Sequence, residues 1–325
     1  MEKLLIICGP TATGKTALAV ALARKYNGEL INADSRQLYE GLSVVTGKDL
    51  PHEAIGTMVE YASYQDSLLP IRTYDLHGAS IWLYDLLPPE VPISIALYRV
   101  AARIAINNIR KRGKLPILVG GSGLYIRSVV DDIETIDIPP NERLRNTLIN
   151  VSVQDLQDAL MQIDNSKFEK MNHSDKNNAR RLVRAIEVAQ YYKKGNVHQQ
   201  PENGSSPDAL WIGLRHTDLS LHDAIVKRVE SRWNDGAIDE VRTVLTQGSS
   251  MQVITSLGVT PIQAYINGKC SEHEAKMLWI KEEIAYAKRQ MVWFRKNTHI
   301  AWFDVGENTL NDQLEKRVDA WYTKS

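Results

Sequence analysis

The chain has 325 residues, a length that predicts two domains at about 100–200 residues per domain. Its hydrophobic fraction of 43% and charged fraction of 24% are typical of globular proteins and exclude a disordered chain, and its two cysteines exclude a disulfide framework. The 39 Lys and Arg balance 39 Asp and Glu, so the net charge of zero argues against a general polyanion binder but leaves room for local basic patches.

Short apolar runs alternate with longer amphipathic segments in the first 135 residues. Strands that alternate with helices predict parallel βαβ units with helices on both faces of a sheet, which is an α/β fold. The predicted elements are strands at Leu4–Cys8, Glu29–Ala33 and Leu115–Val119, and helices at Thr16–Tyr26 and Leu97–Arg112.

The pattern becomes mainly helical after about residue 133 and mixed again after residue 208. We therefore predict an α/β catalytic core of residues 1–135 and 208–325, interrupted by a helical insertion at residues 136–207. The segment Gly195–Asp208 is rich in Gly, Ser, Pro and Asn and is predicted to be a flexible return linker. The remaining predicted elements are helices at Asn141–Ile149, Val153–Gln162, Asn178–Tyr192, Leu221–Leu245 and Ser271–Phe294, and strands at Leu210–Leu214 and Ile300–Val305.

A complete phosphate-binding motif, G-x-x-x-x-G-K-[ST], follows the first predicted strand and opens the first predicted helix. Its glycines let successive backbone N–H groups converge on phosphate oxygens, and the helix N-terminus adds positive potential. The lysine supplies a charge for the phosphates, and the last threonine supplies a hydroxyl for a phosphate or Mg²⁺. The motif predicts a di- or triphosphate site made of Gly9, Pro10, Thr11, Ala12, Thr13, Gly14, Lys15 and Thr16.

Asp34 directly follows the second predicted strand, and residues past the carboxyl end of a parallel strand face the ligand crevice. We therefore expect Asp34 to lie near Lys15. It could act as a metal ligand or as a general base, or it could cap the N-terminus of a helix. A second glycine turn, residues 120–123, follows the strand Leu115–Val119 and should bring Ser122 to the same edge.

Taken in order, these motifs resemble one family, the tRNA dimethylallyltransferases, also called tRNA isopentenyltransferases or IPP transferases. The resemblance extends over nearly the whole chain. It rests on the segments Gly9–Thr16, Ala33–Tyr39, Gly113–Tyr125, Ala179–Glu187 and Ala287–Arg295.

The resemblance implies transfer of a dimethylallyl group from dimethylallyl diphosphate to the exocyclic N6 amine of the adenosine 3′ of the tRNA anticodon, with release of diphosphate. It implies a P-loop NTPase-like core and Mg²⁺ as cofactor, with Thr16 as a metal ligand. By position, Asp34 matches the general base, and Thr11 and Lys15 match residues that hold the diphosphate. Arg228 matches the arginine at the leaving group.

The resemblance also implies that the adenosine flips out of its stem-loop to enter the crevice. The family positions that touch tRNA correspond to Asp34, Ser35, Arg36, Gln37, Ser122 and Arg145. Arg181 and Arg184 stand at helical spacing in the insertion, where we expect a basic surface for the anticodon stem-loop.

The chain departs from the family pattern at four places. The family's His-His-Leu-x-Asp segment corresponds to Ile81–Asp85 in this chain, and its Gly-Thr-Ala-Lys segment corresponds to Val45–Lys48. The family's Gly-Tyr-Lys-Glu segment corresponds to Leu257–Pro261, and the Thr-Arg pair that usually precedes Ala-Lys-Arg-Gln is replaced by Glu283-Ile284. All four lie outside the phosphate-binding motif, so we expect them to lie outside the diphosphate cradle and to affect RNA contacts more than prenyl transfer.

Three other functions remain as alternatives: an adenylate isopentenyltransferase acting on free AMP, ADP or ATP, a P-loop nucleotide kinase or NTPase, and an inactive RNA-binding relative. The helical insertion favours tRNA, because a free nucleotide needs no second clamp. No apolar run approaches the ~20 residues of a membrane helix, and the five apolar residues before Gly9 are too few for a signal peptide. We therefore expect a cytoplasmic protein without membrane contacts. We also expect it to be a monomer.

Overall fold

An eight-stranded mixed sheet, in the order β3-β4-β5-β2-β6-β1-β7-β8, organises most of the chain. The computed structural model describes residues 2–51, 53–64, 67–131, 133–196, 207–307 and 310–324. From β5 to β8 all neighbouring strands pair in parallel, whereas β4 is antiparallel to both β5 and β3. The strands are β1 (Lys3–Cys8), β2 (Gly28–Asn32), β3 (Thr57–Tyr64), β4 (Ser67–Leu76), β5 (Ala79–Trp82), β6 (Leu115–Gly120), β7 (Asp208–Arg215) and β8 (Ala301–Asp304).

The helices connect these strands or form a second unit. A π-helical turn, Trp233–Ala237, separates α8 from α9. No helix in the part of the chain that the structure describes is long and apolar enough to cross a membrane. The helices are α1 (Lys15–Lys25), α2 (Ile95–Lys111), α3 (Gly123–Val130), α4 (Glu142–Leu148), α5 (Val153–Lys170), α6 (His173–Lys176), α7 (Ala179–Lys193), α8 (Asp218–Arg232), α9 (Ile238–Thr246), α10 (Met251–Ile254), α11 (Val259–Ile266), α12 (Glu272–Phe294) and α13 (Leu310–Tyr322).

The sheet is buried on both faces, which explains why its central strands are largely apolar. Successive side chains of a strand point to opposite faces, so Leu4 and Ile6 of β1 join one core and Leu5 and Ile7 join the other. Helices α2, α8 and α12 cover the first core, and α1 and α13 cover the second. The α/β fold class predicted from the sequence is confirmed.

The chain divides into two compact units, Met1–Asp131 with Ser206–Ser325, and Asp132–Ser205. The second unit is helical and has its own small core, formed by α5 and α7 around Leu156, Leu160 and Leu182. The sequence prediction had placed the two boundaries at residues 135/136 and 207/208. Most of the predicted linker, residues 197–206, lies outside the described residues.

One predicted element of the first unit is wrong, and two of its strands were missed. Leu221–Leu245 is not one helix, because Gly236 has a φ of 103° and the π-helical turn interrupts the chain there. The antiparallel strands β3 and β4 were not predicted at all. Strand β3 is an edge strand whose residues are mostly exposed, so it lacks the alternation of apolar and polar residues that identifies a half-buried strand.

A buried carboxylate ties β2 to β5 and to the end of α2. Glu29 is 3% exposed and accepts hydrogen bonds from Trp82 Nε1 at 2.8 Å, from Arg112 Nη2 at 2.6 Å and from Lys114 Nζ at 2.7 Å. Burial alone would raise the pKa of Glu29, but the hydrogen bonds from Arg112, Lys114 and Trp82 outweigh it and lower the pKa to about 2. Trp82 belongs to one of the departures from the family pattern, and here it has a structural role.

The Glu29→Gln variant should be less stable than the wild type at neutral pH by about 3 kcal/mol, which corresponds to the lowering of the pKa from 4.5 to about 2. Because the folded-state pKa is lowered, this stability is present above about pH 4.5 and is lost as the pH falls towards 2. Urea unfolding of both proteins between pH 7 and pH 3 measures the difference.

The control for this measurement is Glu315→Gln, which removes a half-exposed partner of Lys25 in the same unit. Such a solvent-exposed pair contributes little to stability, so Glu315→Gln should be about as stable as the wild type. A stability difference between wild type and Glu29→Gln that is independent of pH would contradict the assigned pKa of Glu29.

Candidate functional site

Three loops meet at the carboxyl edge of the sheet because they follow the adjacent strands β2, β6 and β1. The first loop is the phosphate-binding motif, the second begins at Asp34, and the third is the glycine turn after β6. Ala33 N donates to Val119 O at 2.7 Å and Ser122 N donates to Ala33 O at 3.1 Å, so backbone hydrogen bonds join the second and third loops. The predicted convergence of these loops at one edge is confirmed.

The phosphate-binding loop has the conformation that its glycines allow. Gly9 has a φ of 139°, and a Cβ atom there would overlap the carbonyl of Leu214 on β7, so only glycine lets the loop start this close to the sheet. Helix α1 begins at Lys15, directly after the loop. The loop therefore presents backbone N–H groups and the positive end of a helix to the cavity.

Lys15 lies at the centre of the site's positive charge. Its ammonium group donates to Pro10 O of its own loop. The pKa of Lys15 is lowered to about 8, first because the group is surrounded by protein and second because it lies near Arg228, although Asp34 acts in the opposite direction. A bound anion would favour the protonated form, so this lysine is suited to bind phosphate oxygens.

Arg228 and Thr11, both predicted as site residues, contact each other directly. Arg228 Nη1 donates to Thr11 Oγ1 at 2.7 Å, across 217 positions of sequence. Arg228 comes from α8, and Thr11 is only 9% exposed. The contact places a guanidinium group against the phosphate-binding loop.

Gln290 of α12 joins two of the three loops and was not predicted as a site residue. Its Oε1 accepts from Thr11 N at 2.9 Å and its Nε2 donates to Gly121 O at 3.0 Å, and the side chain is 5% exposed. A carboxylate or a hydrocarbon at this position could not do both. The only sequence signal was the position of Gln290 within the motif Ala287–Arg295.

If the phosphate-binding loop is a catalytic element, Gln290→Ala should lower kcat for the reaction at this site by about 10- to 100-fold, because a loop displaced by about 1 Å misaligns the reacting groups. Steady-state kinetics with thermal unfolding separates this loss from a loss of folding. Val292→Ala, an exposed position two residues along the same helix, is the control and should keep wild-type kcat. A kcat of the Gln290→Ala variant equal to that of the wild type would show that Gln290 does not position the loop.

Asp34 lies in a turn, so the interpretation of Asp34 as a helix N-cap is wrong. Its Oδ1 accepts from Arg36 N at 3.0 Å, and its own N–H donates to Asn32 Oδ1 at 2.9 Å. Next to it, Ser35 N donates to Ser122 Oγ at 3.2 Å. The turn fixes the direction of the Asp34 carboxylate, which lines the same cavity as Lys15.

A cavity of about 580 Å³ opens between these loops and helices α8 and α12. This volume is within the range of small-molecule sites, about 300–1,000 Å³. Cationic side chains outnumber carboxylates among the lining residues, so the cavity favours an anionic ligand. The charged lining residues are Lys15, Arg36, Arg228, Arg232 and Arg289, together with Asp34, Asp49 and Glu283.

The predicted tRNA-contact residues fall into two groups. Arg36 and Gln37 line the cavity, where Arg36 donates to Gln252 O and Gln37 Nε2 donates to Gly47 O at 2.7 Å. Arg145 and Arg184 belong to the helical unit, and both donate to the buried carboxylate of Glu187.

Arg184 and Arg181 of the helical unit differ in how much of their side chains is engaged by the protein. Arg184 also donates to Thr135 O and Ile138 O at 2.7 and 2.8 Å, so it holds the start of that unit together. Arg181 pairs with Asp175 and keeps 57% of its side chain exposed. Binding of tRNA by Arg145, Arg181 and Arg184 stays a prediction.

The donor set near the phosphate loop fits Mg²⁺ only when the ligand supplies oxygen atoms. Thr16 contributes one hydroxyl to the cavity wall. Within the described ranges, no group of three or more His, Cys, Asp or Glu side chains is placed to hold a metal ion. Mg²⁺ commonly binds through one or two protein groups, waters and substrate phosphates, which matches this arrangement.

Comparison with protein families assigns the chain. A family model described as IPP transferase matches residues 71–297, and another described as isopentenyl transferase matches residues 2–68. The chain belongs to the IPP transferase family. The resemblance found in the sequence is confirmed.

Individual IPP transferases match over nearly the full chain. The tRNA dimethylallyltransferase of Carboxydothermus hydrogenoformans is 35% identical, covering 98% of this chain and 96% of the relative, and that of Anoxybacillus flavithermus is 34% identical, covering 98% and 94%. The tRNA isopentenylpyrophosphate transferase of Bacillus halodurans superposes with a TM-score of 0.67 at 30% identity, covering 98% of this chain and 95% of the other. A eukaryotic dimethylallyltransferase acting on tRNA shares the fold, with a TM-score of 0.77 at 20% identity, covering 99% and 79%.

Some departures from the IPP transferase pattern lie in the same cavity as the phosphate-binding loop, although none of them belongs to the loop itself. Val45, Thr46, Leu257 and Glu283 line the same cavity as Lys15. Their proximity to the phosphate-binding loop could not be predicted from the sequence, because α12 and the loop after Leu42 are distant from that loop along the chain.

Proposed function

We propose that this IPP transferase transfers a dimethylallyl group from dimethylallyl diphosphate to the exocyclic amine of an adenosine in tRNA. The observation that carries the proposal is the convergence of a phosphate-binding loop, an arginine bonded to that loop and an oriented carboxylate in one cavity. The names of the relatives, tRNA dimethylallyltransferase and tRNA isopentenylpyrophosphate transferase, agree with this chemistry.

In the proposed reaction, the adenine N6 atom forms a bond to C1 of the dimethylallyl group, and the bond from C1 to the diphosphate oxygen breaks. The electron pair of the broken bond leaves with the diphosphate. The N6 proton passes to a carboxylate oxygen of Asp34, which acts as the general base. Asp34 thus receives the proton, and the phosphate loop stabilises the negative charge.

Negative charge develops on the diphosphate as the bond to C1 breaks. Preformed donors aimed at that charge stabilise the transition state more than the ground state. Lys15, Arg228 and the N–H groups of the phosphate loop are such donors. Thr11 positions these donors, because its hydroxyl accepts a hydrogen bond from Arg228 and its own N–H donates to Gln290.

We include Mg²⁺ in the proposal as a partner of the diphosphate. Thr16 would be its protein ligand, and the metal would neutralise part of the charge on the leaving group. The anticodon stem-loop as binding partner, a monomeric state and a cytoplasmic location are further parts of the proposal. The exposed Arg181 in the helical unit supports contact with RNA phosphates.

The test is incubation of the protein and Mg²⁺ with labelled dimethylallyl diphosphate and one acceptor at a time. We expect label in unmodified tRNA that has adenosine 3′ of the anticodon. A matched tRNA with guanosine at that position is the control and should stay unlabelled. Label in AMP alone would reassign the protein to the adenylate isopentenyltransferases, and label in no acceptor would overturn the proposal.

A further inference from the structure

Two departures from the family pattern meet at a single side chain, Arg232. Where the family has alanine in Gly-Thr-Ala-Lys, this chain has Gly47, and a Cβ atom there would overlap the Nη2 atoms of Arg232 and Arg228. Where the family has threonine before Ala-Lys-Arg-Gln, this chain has Glu283, whose Oε1 pairs with Arg232 Nη1 at 3.3 Å. Both unusual residues therefore accommodate one arginine.

Arg232 is placed like Arg228, one helical turn further along α8. It is 7% exposed and lines the cavity. Its Nη1 also donates to Val45 O at 3.2 Å, whereas its Nε and Nη2 groups make no hydrogen bond to any residue that the structure describes. Arg232 thus keeps donors available for a ligand.

Two guanidinium groups beside one glycine repel each other unless an anion lies between or beside them. The pKa of Arg232 is lowered to about 10, first by burial and second by the charge of Arg228, while Glu283 and Asp49 counteract this. Lys15 adds a third cation to the same cavity. A ligand with several negative charges would relieve this repulsion, and a monoanion would do so less completely.

We propose that Arg232 is a second arginine that binds the diphosphate of the prenyl donor, and that Glu283 holds it in place and competes with the diphosphate for it. This inference rests on the proposed function, because it needs the diphosphate at the phosphate loop. It adds a binding residue and explains two sequence departures by one interaction.

The experiment measures binding of inorganic pyrophosphate in the presence of Mg²⁺ by calorimetry. Arg232→Gln should weaken binding by about 10- to 100-fold, as expected for the loss of a charge-assisted hydrogen bond to an anion. Glu283→Gln should tighten binding by several-fold, because it removes a competing negative charge. Lys227→Gln, an exposed cation on the same helix, is the control and should bind as the wild type does.

The opposite signs of the two effects separate a binding role from a structural one. If the pair only stabilised the fold, breaking it from either side would change pyrophosphate affinity in the same direction, and that result would overturn the inference. If the Arg232→Gln variant does not fold, Arg232→Lys is a second test, because it keeps a positive charge at this position. It should weaken pyrophosphate binding by about 3- to 10-fold, which is less than the effect of a folded Arg232→Gln variant. Wild-type affinity in a folded Arg232→Lys variant would overturn the inference.

The proposed function and this inference fail in different ways. No pyrophosphate binding by the wild type would contradict the diphosphate site itself. Normal binding by the wild type, weakened binding by Arg228→Gln and unchanged binding by a folded Arg232→Gln variant would leave the diphosphate site intact and exclude Arg232 from it.

Discussion

Replacing Asp34 with asparagine should lower kcat for prenyl transfer to tRNA by about 10²- to 10⁴-fold, the usual contribution of a general base. Asparagine keeps an oxygen that can accept from Arg36 N, so the turn at residues 34–36 should survive. It cannot accept a proton from the adenine amine at neutral pH. Affinities for pyrophosphate and for tRNA should therefore change little, and the loss should appear in single-turnover rates.

Asp75→Asn is a matched control for this experiment. Asp75 also accepts a backbone N–H through its Oδ1, from Gly78, but it lies near the end of β4, next to the tight turn that leads to β5. The Asp75 variant should retain wild-type kcat. Single-turnover rates of Asp34→Asn close to those of the wild type would show that Asp34 is not the general base. Its role would then be limited to the hydrogen bond that stabilises the turn.

Local sequence patterns were sufficient for the parts of the fold that are buried on both sides. Strands β1, β2 and β6 were predicted because a doubly covered parallel strand is a continuous apolar run, as Leu4–Cys8 is. The order of the loops at the carboxyl edge followed from the parallel connections. The position of Asp34 near Lys15 needed no tertiary information beyond that rule.

Residues that act through long-range contacts were not predictable in this way. Gln290 reaches Thr11 across 279 positions, and Arg232 reaches Glu283 across 51. No periodicity or spacing encodes such pairs, because each depends on how helices α8 and α12 pack beside the phosphate loop. The reason for a glycine at position 47 is likewise visible only in the structure, where a Cβ atom would overlap Arg232 and Arg228. In the sequence alone, a glycine in a loop has many possible explanations.

Replacing Arg228 with glutamine should lower kcat by about 10²- to 10³-fold, the typical effect of removing one donor to a developing oxyanion. The loss should be larger in kcat than in pyrophosphate affinity, because the charge on the leaving oxygen grows in the transition state. Arg242→Gln, which removes an exposed arginine from α9, is the control and should have no effect on kcat.

Thr11 tests whether Arg228 acts through the observed contact. If the 2.7 Å hydrogen bond aims the guanidinium group, Thr11→Val should lower kcat in the wild type but have little further effect in the Arg228→Gln background. The two substitutions would then be coupled by at least about 1 kcal/mol in a double-mutant cycle, as expected for residues in direct contact. Additive losses would mean that Thr11 and Arg228 act on the diphosphate independently.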